Sequence, residues 1–240
     1  MNIKRLTPTF RFRLAGRHAA AFTLVEMLVV ITIITILLTV GALGLKNLSQ
    51  ASGISAGVPV AEAVFAEARS IAIGKSTTAR VLIFANQDDE ERYLRYMLVA
   101  YFDDATGRWI AESRGSSLPK GVYFSQLFSK VDHAAGSGDM TSRSEAIDIY
   151  GALNQPTANS NLSDNYIYYE YNSEGNFNDP GASFIIGVGN KSPGAQNPKA
   201  DDSGLKNFGG FVIWRKGTTS LFRHPEQMGL PAGISRGDDF

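Results

Sequence analysis

The sharpest feature of the polar and apolar pattern lies near the start of the chain. Glu26 is the first acidic residue, and the run behind it, Met27 to Leu45, carries no charged side chain. As a helix rising 1.5 Å per residue, the run would extend roughly 28 Å, close to the thickness of a bilayer hydrocarbon core. Ahead of it lie Lys4, Arg5, Arg11, Arg13 and Arg17. Such a basic flank stays on the cytoplasmic side of a membrane, which places the rest of the chain outside. An ordinary secretory signal also starts basic. Its apolar core is shorter, however, has no use for an acid at its entrance, and ends in a small-residue cleavage site that Gly41-Ala42-Leu43-Gly44 reproduces poorly.

Past Lys46 the pattern changes twice. Asn47, Ser49, Gln50, Ser52, Gly53, Ser55 and Gly57 form a small, polar stretch ending at Pro59. It reads as a weakened helix or a short break, with a kink favoured near 53–59. Val60, Ala61, Val64, Phe65, Ala68, Ile71 and Ala72 then recur at three- and four-residue spacing, predicting an amphipathic helix that packs on a globular core. Pro59 suits its first position and Gly74 its stop. Beyond Gly74 the period becomes that of strands. These are expected at 80–84, 92–102, 108–110, 121–124, 146–150, 165–171, 183–188, 210–214 and 220–223. Asp103 to Gly107 forms a hairpin loop, and 132–144 and 189–207 are longer loops. The predicted fold class is α+β: one long N-terminal helix with an antiparallel sheet packed on its second half. In domain terms this gives a basic leader over 1–21, a membrane and assembly helix over 22–45, a continuation helix over 46–74 and a β-rich head over 75–240.

Composition narrows the chemistry. The 240-residue chain has zero formal net charge, so no overall field favours nucleic acid or any other charged partner. It has no cysteine, which removes disulfides, thiolate metal sites and a cysteine nucleophile. Of its three histidines, His18 belongs to the leader, and His133 and His224 have no motif partner. Gly53-Ile54-Ser55-Ala56-Gly57 fits the G-x-S-x-G pattern of a nucleophile elbow but lacks the preceding strand that an elbow requires. Asp179, Asp201 and Asp202 sit in loops without the ligand spacing of a calcium loop. Arg236-Gly237-Asp238 is an adhesion-like tripeptide that chance explains. No enzymatic activity, cofactor or metal is expected.

Residues Ala21-Phe22-Thr23-Leu24-Val25-Glu26-Met27-Leu28-Val29-Val30 closely resemble the processing site of type IV prepilins and pseudopilins. The resemblance implies that a membrane-embedded prepilin peptidase cuts between Ala21 and Phe22. The new amino terminus at Phe22 would then be N-methylated, and Glu26 would become the fifth mature residue. Glycine usually precedes the cut, so Ala21 departs from the pattern. Gly16 is the other candidate, but a cut there would misplace Glu26. A carboxylate facing hydrocarbon costs several kcal/mol unless it is paired or protonated. The ammonium released at Phe22, about one helical turn away, is a suitable partner on the same chain or a neighbouring one. The simpler alternative is an acid snorkelling to the membrane interface. Thr32, Thr35 and Thr39 could mark a helix–helix contact or could bond back into their own helix, the simpler reading.

The segment Glu67-Ala68-Arg69-Ser70-Ile71-Ala72 before a strand, and Tyr169-Glu170-Tyr171-Asn172-Ser173-Glu174-Gly175, resemble the minor pseudopilins and minor pilins that cap type II secretion pseudopili and type IV pili. The layout also resembles pilin-like proteins of verrucomicrobial gene cassettes. These resemblances imply a structural subunit anchored in the bacterial inner membrane, with its N-terminus cytoplasmic and its head periplasmic. Assembly would place it in a filament outside the membrane. The implied partners are prepilin peptidase, other pilin subunits and an assembly platform protein. An alternative is a filament-tip adhesin or a DNA-binding minor pilin using Arg215, Lys216 and Arg223.

Overall fold

The computed structural model describes residues 23–201 and 205–240, with side chains except those of 39–52 and 205. The chain divides into two compact units, Met1–Leu45 and Lys46–Phe240. Helix α1 (Leu24–Lys75) is followed in chain order by β1 (Ala79–Phe84), β2 (Tyr96–Asp103), β3 (Arg108–Ala111), β4 (Ser116–Ser117), β5 (Val122–Phe124), β6 (Lys130–Asp132), β7 (Ser137–Asp139), β8 (Ser144–Ile147), β9 (Ile149–Tyr150), β10 (Asp164–Tyr171), β11 (Ala182–Asn190), β12 (Lys199–Ala200), β13 (Phe208–Ile213) and β14 (Thr219–Leu221). The fold class is α+β, as the sequence pattern predicts.

Of the two readings of 46–59, a weakened helix or a short break, the structure has the helix. Helix α1 runs through Gly53, Gly57 and Pro59, so Pro59 lies inside the helix and not at its first position. An interior proline costs about 3 kcal/mol. The cost is offset by burial on either side of it, where Val58, Ala61, Val64, Phe65, Ala68 and Ala72 all enter the main core. The small residues have a packing role. A Cβ on Gly53 or Gly57 would come within 3.0 or 3.1 Å of Val122, and one on Gly209 of β13 would come within 2.7 Å of Ile54. Helix and sheet meet with glycine on both sides of the seam. At the far end the helix passes Gly74 and stops at Lys75, and the left-handed residue is Ser76, with φ of 52°. Ser76 N–H donates to the Ile73 carbonyl and Thr77 N–H to the Ala72 carbonyl, the hydrogen-bond pattern of a Schellman cap.

Two sheets form where the sequence suggested one. The first has the order β8-β10-β1-β2-β3-β9, with β4 on β2, and the second β14-β13-β11-β6-β7, with β5 and β12 on β11. The expected strand at 146–150 is split at Asp148, and its halves lie at opposite edges of the first sheet. One intervening residue spans at most about 7 Å, so the first sheet must curl until its edges nearly meet. This explains the unbroken apolar run of β1. Val81 and Ile83 face the main core, while Leu82 and Phe84 fill the inside of the curl with Leu98, Ala100, Ile147, Ile149 and Tyr166. Arg80 lies over Trp109 and Tyr168, 4.2 and 4.0 Å from their ring centroids, and pairs with Glu145 and Glu170.

The main core is shared by the helix and both sheets. Phe65 of α1 packs on Phe184 and Phe211 of the second sheet at 4.4 and 5.6 Å between centroids, and on Tyr169 of the first at 6.2 Å. Burial pushes the Tyr169 and Tyr171 phenols up from their ordinary pKa, keeping both neutral. Phe240 is fully buried edge-on against Phe208, and its backbone N–H donates to Pro198.

Two stability changes are expected in chemical unfolding of the full chain in detergent. Phe240→Ala should destabilise the head by about 3–5 kcal/mol, because it empties a closed aromatic site. Ser76→Gly should stabilise it by about 1 kcal/mol, because glycine adopts the left-handed cap without a Cβ penalty. A neutral result for the first, or a loss of stability for the second, would contradict these packing and capping assignments.

Candidate functional site

Of the residues singled out by the sequence for processing and assembly, Glu26 lies in the first turn of α1. Ala21 and Phe22 lie outside the described residues, so the geometry begins at Thr23. Thr23 N–H and Thr23 Oγ1–H both donate to Glu26 Oε2 at 2.8 Å. Glu26 N–H donates back to Thr23 Oγ1 at 3.2 Å. This is a capping box, with Thr23 as N-cap and Glu26 at the third helical position. It satisfies donors that the first turn would otherwise leave open, and it places the carboxylate at the positive end of the helix dipole. Two donors converge on Oε2, and Oε1 has no hydrogen-bond partner among the described residues.

Sequence reasoning assigned Glu26 a charge-pairing role and overlooked Thr23. The signal was available, since Thr23-Leu24-Val25-Glu26 at the head of an apolar run is a capping-box pattern.

Behind the cap, the large apolar side chains from Leu24 to Leu38 are exposed by 44 to 82%, on every side of the helix. A helix that is apolar all round belongs in an apolar surrounding, either lipid or other helices. Thr32 and Thr35 donate their hydroxyls to the Leu28 and Ile31 carbonyls at 2.7 Å, so both bond back into their own helix. The Thr39 side chain lies outside the described residues, as do those of the apolar run from 39 to 45. Among the described residues no helix is long and apolar enough to cross a membrane.

The other sequence candidates are dispersed. Gly53 and Gly57 of the G-x-S-x-G stretch are helix residues against Val122. His133 Nε2 is 2.8 Å from the Gln227 carbonyl, while His224 caps the short helix that begins at Pro225. Asp179 is buried against Arg143. Asp202 lies outside the described residues, and among the described residues no group of three acidic or histidine side chains is placed to hold a metal ion. In the tripeptide 236–238, Gly237 and Asp238 bond to both sides of Ala200 and close a backbone loop. Arg215 and Lys216 lie in the turn before β14 and Arg223 lies beyond its other end, so the three do not form one cluster.

Residues 16–42 match the family described as the prokaryotic N-terminal methylation motif. No curated protein matches the chain. Among solved structures, the chain is similar to the minor pseudopilin EpsH from the type II secretion system of Vibrio cholerae. The two are 12% identical, the match covers 77% of this chain and 96% of that one, and the TM-score is 0.34.

Proposed function

We propose that this chain, which carries the prepilin-type methylation motif of type IV pilins and pseudopilins, is a structural subunit of a type IV pilus or a type II secretion-like pseudopilus. The observation that carries the reading is the conjunction at one helix end. The matched motif, the Thr23–Glu26 cap and a helix apolar on every side occupy the same stretch of chain.

In this reading the precursor waits in the bacterial inner membrane with its basic leader in the cytoplasm and its head in the periplasm. Prepilin peptidase cuts between Ala21 and Phe22, and the new terminus is methylated. An assembly platform protein then passes the helix from lipid into a bundle of similar helices. The transfer keeps apolar surface away from water throughout. Glu26 acts at this stage. Thr23 holds one carboxylate oxygen, which leaves the other to pair with an ammonium at Phe22, on the same chain or on the subunit already in place. A buried carboxylate without such a partner costs several kcal/mol, so pairing with the neighbouring subunit's ammonium selects one axial register over the others.

N-terminal mass spectrometry of protein from membranes and from sheared filaments tests the processing step. The expected product begins at N-methylated Phe22, and an intact Met1 in filaments would overturn it. A pair of substitutions separates the charge of Glu26 from its capping role. Glu26→Gln retains a capping oxygen without charge, and Glu26→Val removes both. Both variants should insert in the membrane normally and fail to enter filaments. Normal filament entry by Glu26→Gln would reduce Glu26 to a helix cap.

A further inference from the structure

A cleft of about 540 Å³ opens in the head between the start of β2, the loop into β5 and the end of β11. Four cations line it: Arg92, Arg95, Lys120 and Lys191. Arg92 is already neutralised by Asp89 at 2.6 Å. The other three form no ion pair among the described residues.

Lys191 is the most informative of these. It is only 6% exposed, yet its ammonium has no carboxylate partner among the described residues; it donates to the Gln87 carbonyl at 3.0 Å and lies 4.9 Å from the centroid of the Tyr93 ring. A lysine is almost never buried to this degree without a counter-charge. Arg95 shows the same shortfall. Its two terminal nitrogens donate to the Glu91 and Leu118 carbonyls, while its Nε is fully buried with no acceptor among the described residues. Backbone strain sets its position, since Leu94 is held at φ of 52° with its carbonyl accepting from Phe124 and its N–H donating to Phe84. A bulky residue in that region costs about 1–2 kcal/mol. Tyr123, whose ring is 5.6 Å from the Arg95 guanidinium, forms an aromatic wall.

We infer that this cleft is a binding site for a compact oxyanion, such as a phosphate, sulfate or carboxylate group on a small solute, held by Lys191, Arg95 and Lys120. One such group supplies acceptors for the spare donors of Lys191 and for the second N–H of each Arg95 terminal nitrogen, and offsets the buried charge. Glu90 and Glu91 also line the cleft and are exposed, and their charges oppose a polyanion such as nucleic acid more strongly than a single small anion.

The test is calorimetric titration of the full chain in detergent with inorganic phosphate, glycerol 3-phosphate and acetate, each at constant ionic strength. At least one should bind at a single site. That binding should weaken about tenfold or more in Lys191→Gln and in Lys120→Gln, and stay unchanged in Lys216→Gln outside the cleft. Lys120 is exposed, so its substitution carries no risk to the fold. A preference for glycerol 3-phosphate assigns a phosphomonoester, and a preference for inorganic phosphate assigns the free ion. Absence of saturable binding of all three probes, or equal weakening by Lys216→Gln, would overturn the site.

Discussion

The structure depends on the close seating of the second half of α1 against the sheets. Phe65 is the centre of that contact, touching aromatic rings of both sheets. Glycines set the separation on each side: Gly53 and Gly57 on the helix, Gly209 on β13. Polar and small residues that look like a failing helix in the sequence are therefore what lets the helix approach closely. The burial gained outweighs the poor helix propensity of two glycines and a proline, which is the usual way tertiary packing overrides local preference.

The same helix meets a different demand at its other end. From Leu24 to Leu38 it is apolar on all sides and its large side chains are exposed among the described residues. The Thr32 and Thr35 hydroxyls there turn inward to carbonyls of their own helix, so neither is directed at a partner. Specificity cannot come from such a surface, because one register of apolar contacts is nearly as good as the next. In the proposed filament it comes from the end, where Thr23 and Glu26 fix a charged group against the helix terminus. A capped carboxylate is held in one rotamer, so it offers a partner charge a defined position and not merely a negative region.

Much of this was legible in the sequence. The motif, the apolar run and the amphipathic face from Ala61 to Ala72 are strong periodic or positional signals, and most strands fall within a few residues of where alternation predicts them. The misreadings have physical causes. The 146–150 segment looks like one strand, because nothing local reveals that Asp148 carries the chain between opposite sheet edges. Residues 92–95 look like the start of β2, but Leu94 turns the chain there under tertiary hydrogen bonds that no propensity encodes. Two sheets were read as one, because strand order is a non-local property. The cleft was invisible for the same reason: Arg95, Lys120 and Lys191 are ordinary surface cations in the sequence and become a group only when β2, β5 and β11 bring them together.

That contrast bears on where head-specific function can reside. In the proposed function helix α1 supplies anchoring and register, and those demands leave periodic traces in the sequence. What distinguishes one head from another is built from strand ends and turns, where a strained residue such as Leu94 can be tolerated because a large core supports it. Leu94 is itself fully buried, bonded to β1 on one side and β5 on the other. The position of Arg95 is thus set by the junction of the two sheets and not by a free loop. A cation held in that way has its desolvation cost met by the fold before any ligand arrives, and an incoming anion need only replace water. The buried Lys191 on the opposite wall follows the same logic from the other sheet, which is why the two together define a site that neither sheet would form alone.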